Sequence, residues 1–519
     1  MSDRKEHLDE LIQRARNGYK LYEPVFASLS DAYLLYLDEN NKKSLSERNK
    51  SSIFFPKINA KAKRIMDAFS ETYFNNESFA KLDNFVNSDP KILKMWQRAI
   101  DFYSDQINLY HIFQPCFLKV TFLGTAIAKV FWQKDRVQIE MLDIDEVYFD
   151  PNAKDKDDIR YIVHKFSSTK DDIDNLAKNS IYNKKITKQI KQNYPFERIN
   201  LYDIYEKIND KWYLSTTYES DILRDKIPLK DGCPIIIGYV LPQVKRILND
   251  DDFVGVYGEP PLASILPLQD ELNRIRNSML DGVKAQLSPK LIINKSAKLS
   301  QHDIETPGKP IYTSDPNSVQ IMPFPNITQA ISTMQITDND MSEATGISPQ
   351  QNGATTIRAE TATMSSIMAN EGSVRLQGYI RTFNETFFEP IFERFAMLVW
   401  KYGDPVFFAG FRRDEIMSFK VNLNTGIGAL NKEVQKNALI QAGQLLNEHF
   451  QMCLATGENN GALNMVLAHE QLIAQILAIF GIKDFEKYLK KDGDELIRTL
   501  STTGDFNYSP NPNENGGFI

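Results

Sequence analysis

The chain has 519 residues, 42% of them hydrophobic and 25% charged, which is the composition of a folded protein with room for two or three cores or one elongated subunit. Its 68 acidic and 61 basic side chains leave a net charge of −7, which excludes a general electrostatic grip on nucleic acid or acidic lipid. Three cysteines, Cys116, Cys233 and Cys453, lie far apart without CxxC or Cys/His spacing, which argues against a disulfide framework or a zinc site and for a reducing compartment.

The first 112 residues read as helices. Residues 4–38 carry one helical pattern and 58–74 another. A third starts with Ser88 or Asp89 as cap and Pro90 in its first turn, and aligns Ile92, Trp96, Ala99, Tyr103, Ile107 and Tyr110 on one face. The charged, amphipathic start "MSDRKEHLDEL" has no apolar core of a signal peptide, and no apolar run of about 18 residues follows, so no membrane association is expected.

From Cys116 the period changes to two. "CFLKVTFLGTAIAKVFWQKDRVQIEMLDIDEVYFDP" alternates β-branched and aromatic residues with polar ones and breaks at Gly124 and at the turn Lys134-Asp135-Arg136. "DIRYIVHKF", a short helix capped by Thr169, the hairpin "NLYDIYEKINDKWYLSTTYES" and the buried strand "CPIIIGYVLP" complete an antiparallel α+β block over 116–242.

Helical spacing returns with Ile265, Leu268, Leu272, Ile275, Met279, Val283 and Leu287 and stops at Ser288-Pro289. Short strands between Pro and Gly turns occupy 289–325, and Asn326 caps a helix that ends at Gly346. The stretch "NGATTIRAETATMSS" is small, polar and a poor helix start. Behind it runs the longest helical pattern, from Arg358 to Tyr402, with Leu376, Phe383, Phe387, Ile391, Phe395 and Val399 on one face. Unbroken it would span about 65 Å, with a bend expected at Pro390. A strand pair over 406–423, helices at 431–453, 461–480 and 483–499, and an Asn/Gly/Pro-rich tail expected to order only on binding complete the chain. The fold class is therefore α+β, predominantly helical, without internal repeats.

Enzymatic arrangements are hard to find. There is no GxxxxGK[ST], no GxGxxG after a strand, no GxSxG and no HExxH, since His469-Glu470 lacks its second histidine. The acidic cluster Asp143, Asp145, Glu146 and Asp150 offers oxygen ligands for Mg²⁺, although strand alternation splits it. "TDNDMSEATG" has Asp338, Asp340 and Glu343 but lacks the central glycine of a calcium loop. None of the six histidines is paired at ligand spacing. No catalytic residue, metal or cofactor is assigned. A soluble enzyme with a metal site at 143–150 and an interaction scaffold without DNA are the alternative readings.

The order helix, small β unit, helix, small polar loop and oversized helix resembles the portal protein, or head-tail connector, of tailed double-stranded DNA bacteriophages. The residues that carry the resemblance are "VTFLGTAIAKVFWQ", "VQIEMLDIDEVYFDPNAKDKDDIRYIVHKF", "GEPPLASILPLQDELNRIRNSMLDGV" and "RAETATMSSIMANEGSVRLQGYIRTFNETFFEPIFERF". It implies a wing over 1–258, with a helical layer at 1–112 and an antiparallel sheet at 116–242. It further implies a stem helix at 259–287, a clip at 288–325, a second stem helix at 326–345 and a tunnel loop at 346–357. A long wing helix at 358–402, wing strands at 403–430, a helical crown at 431–499 and a flexible tail at 500–519 complete the layout.

The same resemblance implies a non-enzymatic ring of twelve at one capsid vertex, assembled in host cytoplasm with major capsid and scaffolding proteins. Such a ring is a channel for packaging and ejecting double-stranded DNA, and a platform for terminase and then a tail adaptor. The tunnel-loop candidates are Gln350, Gln351, Asn352, Gly353, Thr355, Thr356 and Arg358, and the clip candidates Lys295, Lys298, His302, Lys309 and Tyr312. The first stem helix carries Arg274, Arg276 and Lys284, whereas the second carries Asp338, Asp340 and Glu343 without Lys or Arg, so the acidic helix is expected to face the lumen. A conduit that must let DNA slide gains from few cationic contacts, because each phosphate neutralised adds affinity and so friction.

Overall fold

The computed structural model describes residues 2–34, 50–74, 80–84, 90–191, 194, 196–244, 254–287, 291–293, 319–321, 327–347, 374–408 and 419–423, with a few positions between 441 and 448. The chain divides into two units, Met1–Ile427 and Gly428–Ile519. The expected crown and tail fall in the second, outside the described residues apart from those few positions.

The first helical pattern is two helices, α1 (Ser2–Lys20) and α2 (Glu23–Leu34), separated at Leu21-Tyr22 ahead of Pro24. Next come α3 (Lys57–Phe74), strand β1 (Ala80–Asn84) and α4 (Pro90–Asp105). The expected strand over 116–123 is instead the second half of a helix, α5 (Leu109–Leu123). Cys116, Phe117, Val120, Thr121, Phe122 and Leu123 are all buried and Lys119 is the one charged residue of this half, so the short run is too uniformly apolar for its period to separate helix from strand. Gly124, at φ 74°, ends it by donating its N–H to Val120 O.

Two antiparallel sheets replace the single sheet expected for 116–242. Strands β2 (Thr125–Gln133), β3 (Arg136–Leu142) and, from later in the chain, β9 (Ile235–Tyr239) pair in the order β3-β2-β9. The turn between β2 and β3 places Lys134 and Asp135 at positive φ, as a tight right-twisted hairpin requires. The second sheet contains β4 (Val147–Phe149), β5 (Tyr161–Thr169), β6 (Arg198–Ile208), β7 (Lys211–Tyr218) and β8 (Asp221–Pro228), in sequence order. Between β5 and β6 lie α6 (Lys170–Lys178) and the single turn α7 (Lys184–Thr187). Thr169 caps α6 as expected, its hydroxyl accepting from Asp172 N at 3.3 Å.

The antiparallel helices α8 (Leu266–Leu287) and α9 (Ile327–Thr345) flank a two-stranded ribbon of β10 (Leu291–Ile293) and β11 (Val319–Ile321). Residues 374–383 are helical, pass through a five-residue π turn at Asn384–Phe388 and continue as α10 (Glu389–Tyr402). The bend expected at Pro390 takes this form for two reasons. The proline ring conflicts with the carbonyl four residues back. The Thr386 hydroxyl also turns outward to accept from Tyr239 N at 3.1 Å. The bulge thereby caps the edge strand β9, and Phe387 lies so close to Gly238 that a Cβ there would be 2.3 Å from the Phe387 Cβ.

The core sits where this helix meets α3, α4 and α5. Phe69, Phe113, Phe117, Phe383, Phe387 and Phe388 are fully buried. Trp96 lies 4.8 Å from Trp400 between ring centroids and donates its Nε1–H to Ala396 O at 3.0 Å. Of the strand pair expected over 406–423, Pro405–Phe408 is a 3₁₀ turn and β12 (Phe419–Leu423) pairs with β1, while residues 409–418 lie outside the described residues.

Candidate functional site: the α8–α9 pair and its anchors

Helix α8 is held by an arm of extended chain. Residues 51–56 lie along it without regular structure of their own. Ser51 N donates to Asp281 Oδ1 at 2.7 Å, Ile53 N to Asn277 Oδ1 at 2.8 Å and Phe55 N to Asn273 Oδ1 at 2.9 Å. Ile58 N, at the start of α3, reaches Gln269 Oε1 at 3.1 Å. Two amides answer in the other direction, Asn277 Nδ2 to Ile53 O at 2.9 Å and Gln269 Nε2 to Phe55 O at 2.6 Å. The match is geometric: two extended residues advance about 6.6 Å, and four helical residues about 6 Å. Every second backbone N–H of the arm therefore meets a side chain from every fourth residue of the helix. Burial opposes the charge of the Asp281 carboxyl, but hydrogen bonds from Ser51 and the nearby Lys284 hold it below the usual carboxylate range.

Helix α9 is secured at its C-terminal end. Lys57 on α3 pairs with Asp338 at 2.8 Å. Lys61, 2% exposed, points at the last turn and donates to Ser342 Oγ at 3.3 Å, Thr345 Oγ1 at 3.2 Å and Ile347 O at 3.2 Å. Arg375 donates to the carbonyls of Glu343 at 3.0 Å and Ala344 at 2.6 Å. Gly346, at φ 69°, forms the exit and leaves room for the Arg375 side chain. Two cations thus occupy the electronegative helix end. Lys61 ties the end of α9 to α3, and Arg375 ties it to the start of the 374–383 helix, so the described chain leaves and re-enters at the same place.

Burial pushes the Lys61 amine down to about 8, with Asp338 pulling it up and Lys57 pushing it further down. Between that value and the ordinary lysine range the unfolded chain binds more protons than the folded one, so this group makes folding more favourable as pH rises through the window. The expected result is that the stability of the parent chain, relative to Lys61→Met, climbs from pH 8 to pH 10. Parallel pH profiles of the two melting temperatures would refute the assignment.

The apolar face of the pair is only partly covered. Ile265 and Leu272 are 0% exposed, Ile275, Met279 and Val283 are half-buried, and Leu287 is 80% exposed. On α9, Ile331 and Ile336 are 47% and 60% exposed. Such a stripe belongs against something.

Of the acids expected to face the lumen, Asp338 is bridged to Lys57, whereas Asp340 and Glu343 are exposed and form no ion pair among the described residues. Lys284 reaches the Ser51 hydroxyl at 2.7 Å. Arg274 and Arg276 form no ion pair among the described residues. The tunnel-loop candidates, from Gln350 to Arg358, and the clip candidates Lys295, Lys298, His302, Lys309 and Tyr312 lie outside the described residues. Sequence reasoning missed Lys61 and Arg375, which no motif marks. It also missed the arm, although the amide and carboxylate side chains every fourth residue along α8 were its visible signal.

The acidic cluster is engaged in local structure. Asp143 pairs with Lys119, Asp145 O accepts from the Tyr148 hydroxyl at 2.7 Å, and Asp150, 2% exposed, accepts from Asn152 N at 3.0 Å. Burial raises the Glu146 carboxyl above its usual range, with the neighbouring Asp143 and Asp145 adding to the effect against a backbone hydrogen bond and Lys119. Among the described residues no group of three or more His, Cys, Asp or Glu side chains is placed to hold a metal, and no helix is long and apolar enough to cross a membrane.

Residues 254–512 match the family model described as phage SU10 portal protein. The chain belongs to the portal protein family of tailed phages. The matched span includes α8, β10, β11, α9 and the long helix with its π turn, and it begins at Val254, beyond the two sheets. The portal family is structural, and the mixed helical and strand architecture is compatible with the expected α+β class. No curated protein matches the chain.

Proposed function

We propose that the chain is the subunit of a closed ring at one capsid vertex, a channel through which double-stranded DNA is packaged and later ejected. The ring is also the platform for terminase during packaging and then for a tail adaptor, and it has no catalysis of its own. The observation that carries this reading is the α8–α9 pair, which lies within the family-matched segment and has apolar faces that one chain leaves half uncovered.

In this reading α8 and α9 are the stem and residues 288–325 the clip that meets the motor and the adaptor. The 346–357 segment is the channel loop, with Gln350, Gln351, Asn352, Gly353, Thr355, Thr356 and Arg358 facing passing DNA. Asp340 and Glu343 supply lumen charge, while Asp338 contributes less because Lys57 neutralises it. Every added copy brings a further −7, which disfavours stationary binding of DNA. The ring number is twelve, and the assembled complex also contacts major capsid and scaffolding proteins.

The test is deletion of residues 349–356. The clamp formed by Lys61 and Arg375 lies outside the deletion, so rings should assemble normally in averaged electron-microscopy images, while packaging or retention of DNA fails. Normal packaging by the deletion variant would overturn the channel-loop assignment, and a monomer at all concentrations would overturn the ring.

A further inference from the structure

The geometry points to a head-to-tail contact in which the outer face of α9 of one subunit seats in a groove of the next, the groove being built from the 51–57 arm, α8 and α9. This inference rests on the ring reading above and names the surfaces that close it.

The groove has a volume of about 320 Å³; its lining is mainly apolar, from Phe55, Leu272, Met279, Ile331 and Met334, and includes Arg276, Gln335 and the Lys57–Asp338 ion pair. The arm is what makes it a groove: held by the ladder of hydrogen bonds, it places Phe55 beside the helix pair and leaves Ile53 54% exposed next to it. Arg276, half-buried, has no carboxylate partner among the described residues, since Asp338 across the groove is taken by Lys57.

The complementary surface is on the same helix pair. At about 100° per residue, Ile336 and Asp340 fall on roughly the opposite side of α9 from Ile331, Met334 and Asp338. They are one turn apart, Ile336 is 60% exposed, and Asp340 is exposed without an ion pair among the described residues. An apolar knob with an acid beside it thus stands opposite an apolar groove with a cation beside it. Because groove and knob lie on different faces, the contact is heterologous and repeats from copy to copy. Their near-opposite placement gives a small turn per subunit, the condition for a ring of many members. A second copy of this chain is therefore the occupant, and charge complementarity selects it over an unrelated partner.

The experiment is disulfide trapping in the full-length chain carrying Cys453→Ser. Cys116 is buried and burial pushes the Cys233 thiol up to about 12, so both native thiols that remain are unreactive. With Met279→Cys and Ile336→Cys in the same chain, oxidation of assembled particles should give a ladder of covalent species extending past the dimer on denaturing gels, and either substitution alone should leave monomers. Rings that form normally but yield no ladder would overturn the contact while leaving the ring intact. Dimers from Ile336→Cys alone would show a face-to-face arrangement and overturn it as well. Failure of the parent chain to assemble at all would remove the ring reading itself. A second measurement covers the charges: Arg276→Asp should shift particles toward smaller species, and adding Asp340→Arg should restore them. Absence of rescue with both variants folded by circular dichroism would count against the pair.

Discussion

Replacing Phe388 by alanine is expected to destabilise the first unit by about 3–5 kcal/mol, the range for an aromatic removed from a packed core. Phe388 is fully buried within the π turn. Its ring centroid lies 4.2 Å from that of Tyr73, 4.8 Å from Phe113, 5.4 Å from Phe383 and 5.8 Å from Phe117. One truncation therefore opens a cavity shared by α3, α5 and the long helix, and three elements lose a common partner at once. The site has little freedom to collapse, because the π turn is fixed at Tyr239 by Thr386 and at β9 by the close approach to Gly238. Phe102→Ala, at a position 45% exposed, serves as the comparison and should change the urea midpoint little. Equal midpoints for the two variants would show that the aromatic cluster does not hold the unit together.

The second large effect belongs to Gly124. Substitution by alanine forces a non-glycine residue to φ 74° and places its Cβ 2.5 Å from Glu259 O and 2.6 Å from Glu259 C. The left-handed conformation alone costs about 1–2 kcal/mol. The contact is with main chain on the approach to α8, which cannot rotate away as a side chain would. The segment is also pinned by Gly258 N donating to Thr125 Oγ1 at 2.9 Å. The expected outcome is loss of soluble, folded protein at 37 °C. Gly378→Ala provides the contrast: that glycine is helical and an added Cβ meets nothing within 4 Å, so the change should stabilise by up to about 1 kcal/mol. Soluble Gly124→Ala protein with an unchanged melting temperature would contradict the packing described for this corner.

These two positions also show what could be read from the sequence. The G-T pair at 124–125 is visible in the string and marks a real corner, yet the segment before it is helix where alternation suggested strand. The second half of that helix is almost uniformly apolar, and a short apolar run fits both periods. The α8 helix could be placed because its apolar spacing, its stop at Ser288-Pro289 and its charges all agree. Strand β12 was found but its pairing with β1 was not, since β1 lies more than 300 residues away and no local signal records that register. Pro390 foretold a distortion, but its form depends on Tyr239, which only the fold brings near. The clamp on α9 was illegible for the same reason: Lys61 reads as one lysine among many until burial and the helix end around it are known.

The arm on α8 has a mechanical consequence. Its rungs recur once per helical turn, so sliding the helix by a fraction of a turn misaligns every rung together, and no intermediate position satisfies any of them. The attachment is therefore indexed like a rack and pinion: it tolerates stretching within a tooth, and it gives way by a whole tooth or not at all. A pull on α8 would be passed undiminished to α3 and the aromatic core behind it up to that point, and beyond it the linkage would release as a unit.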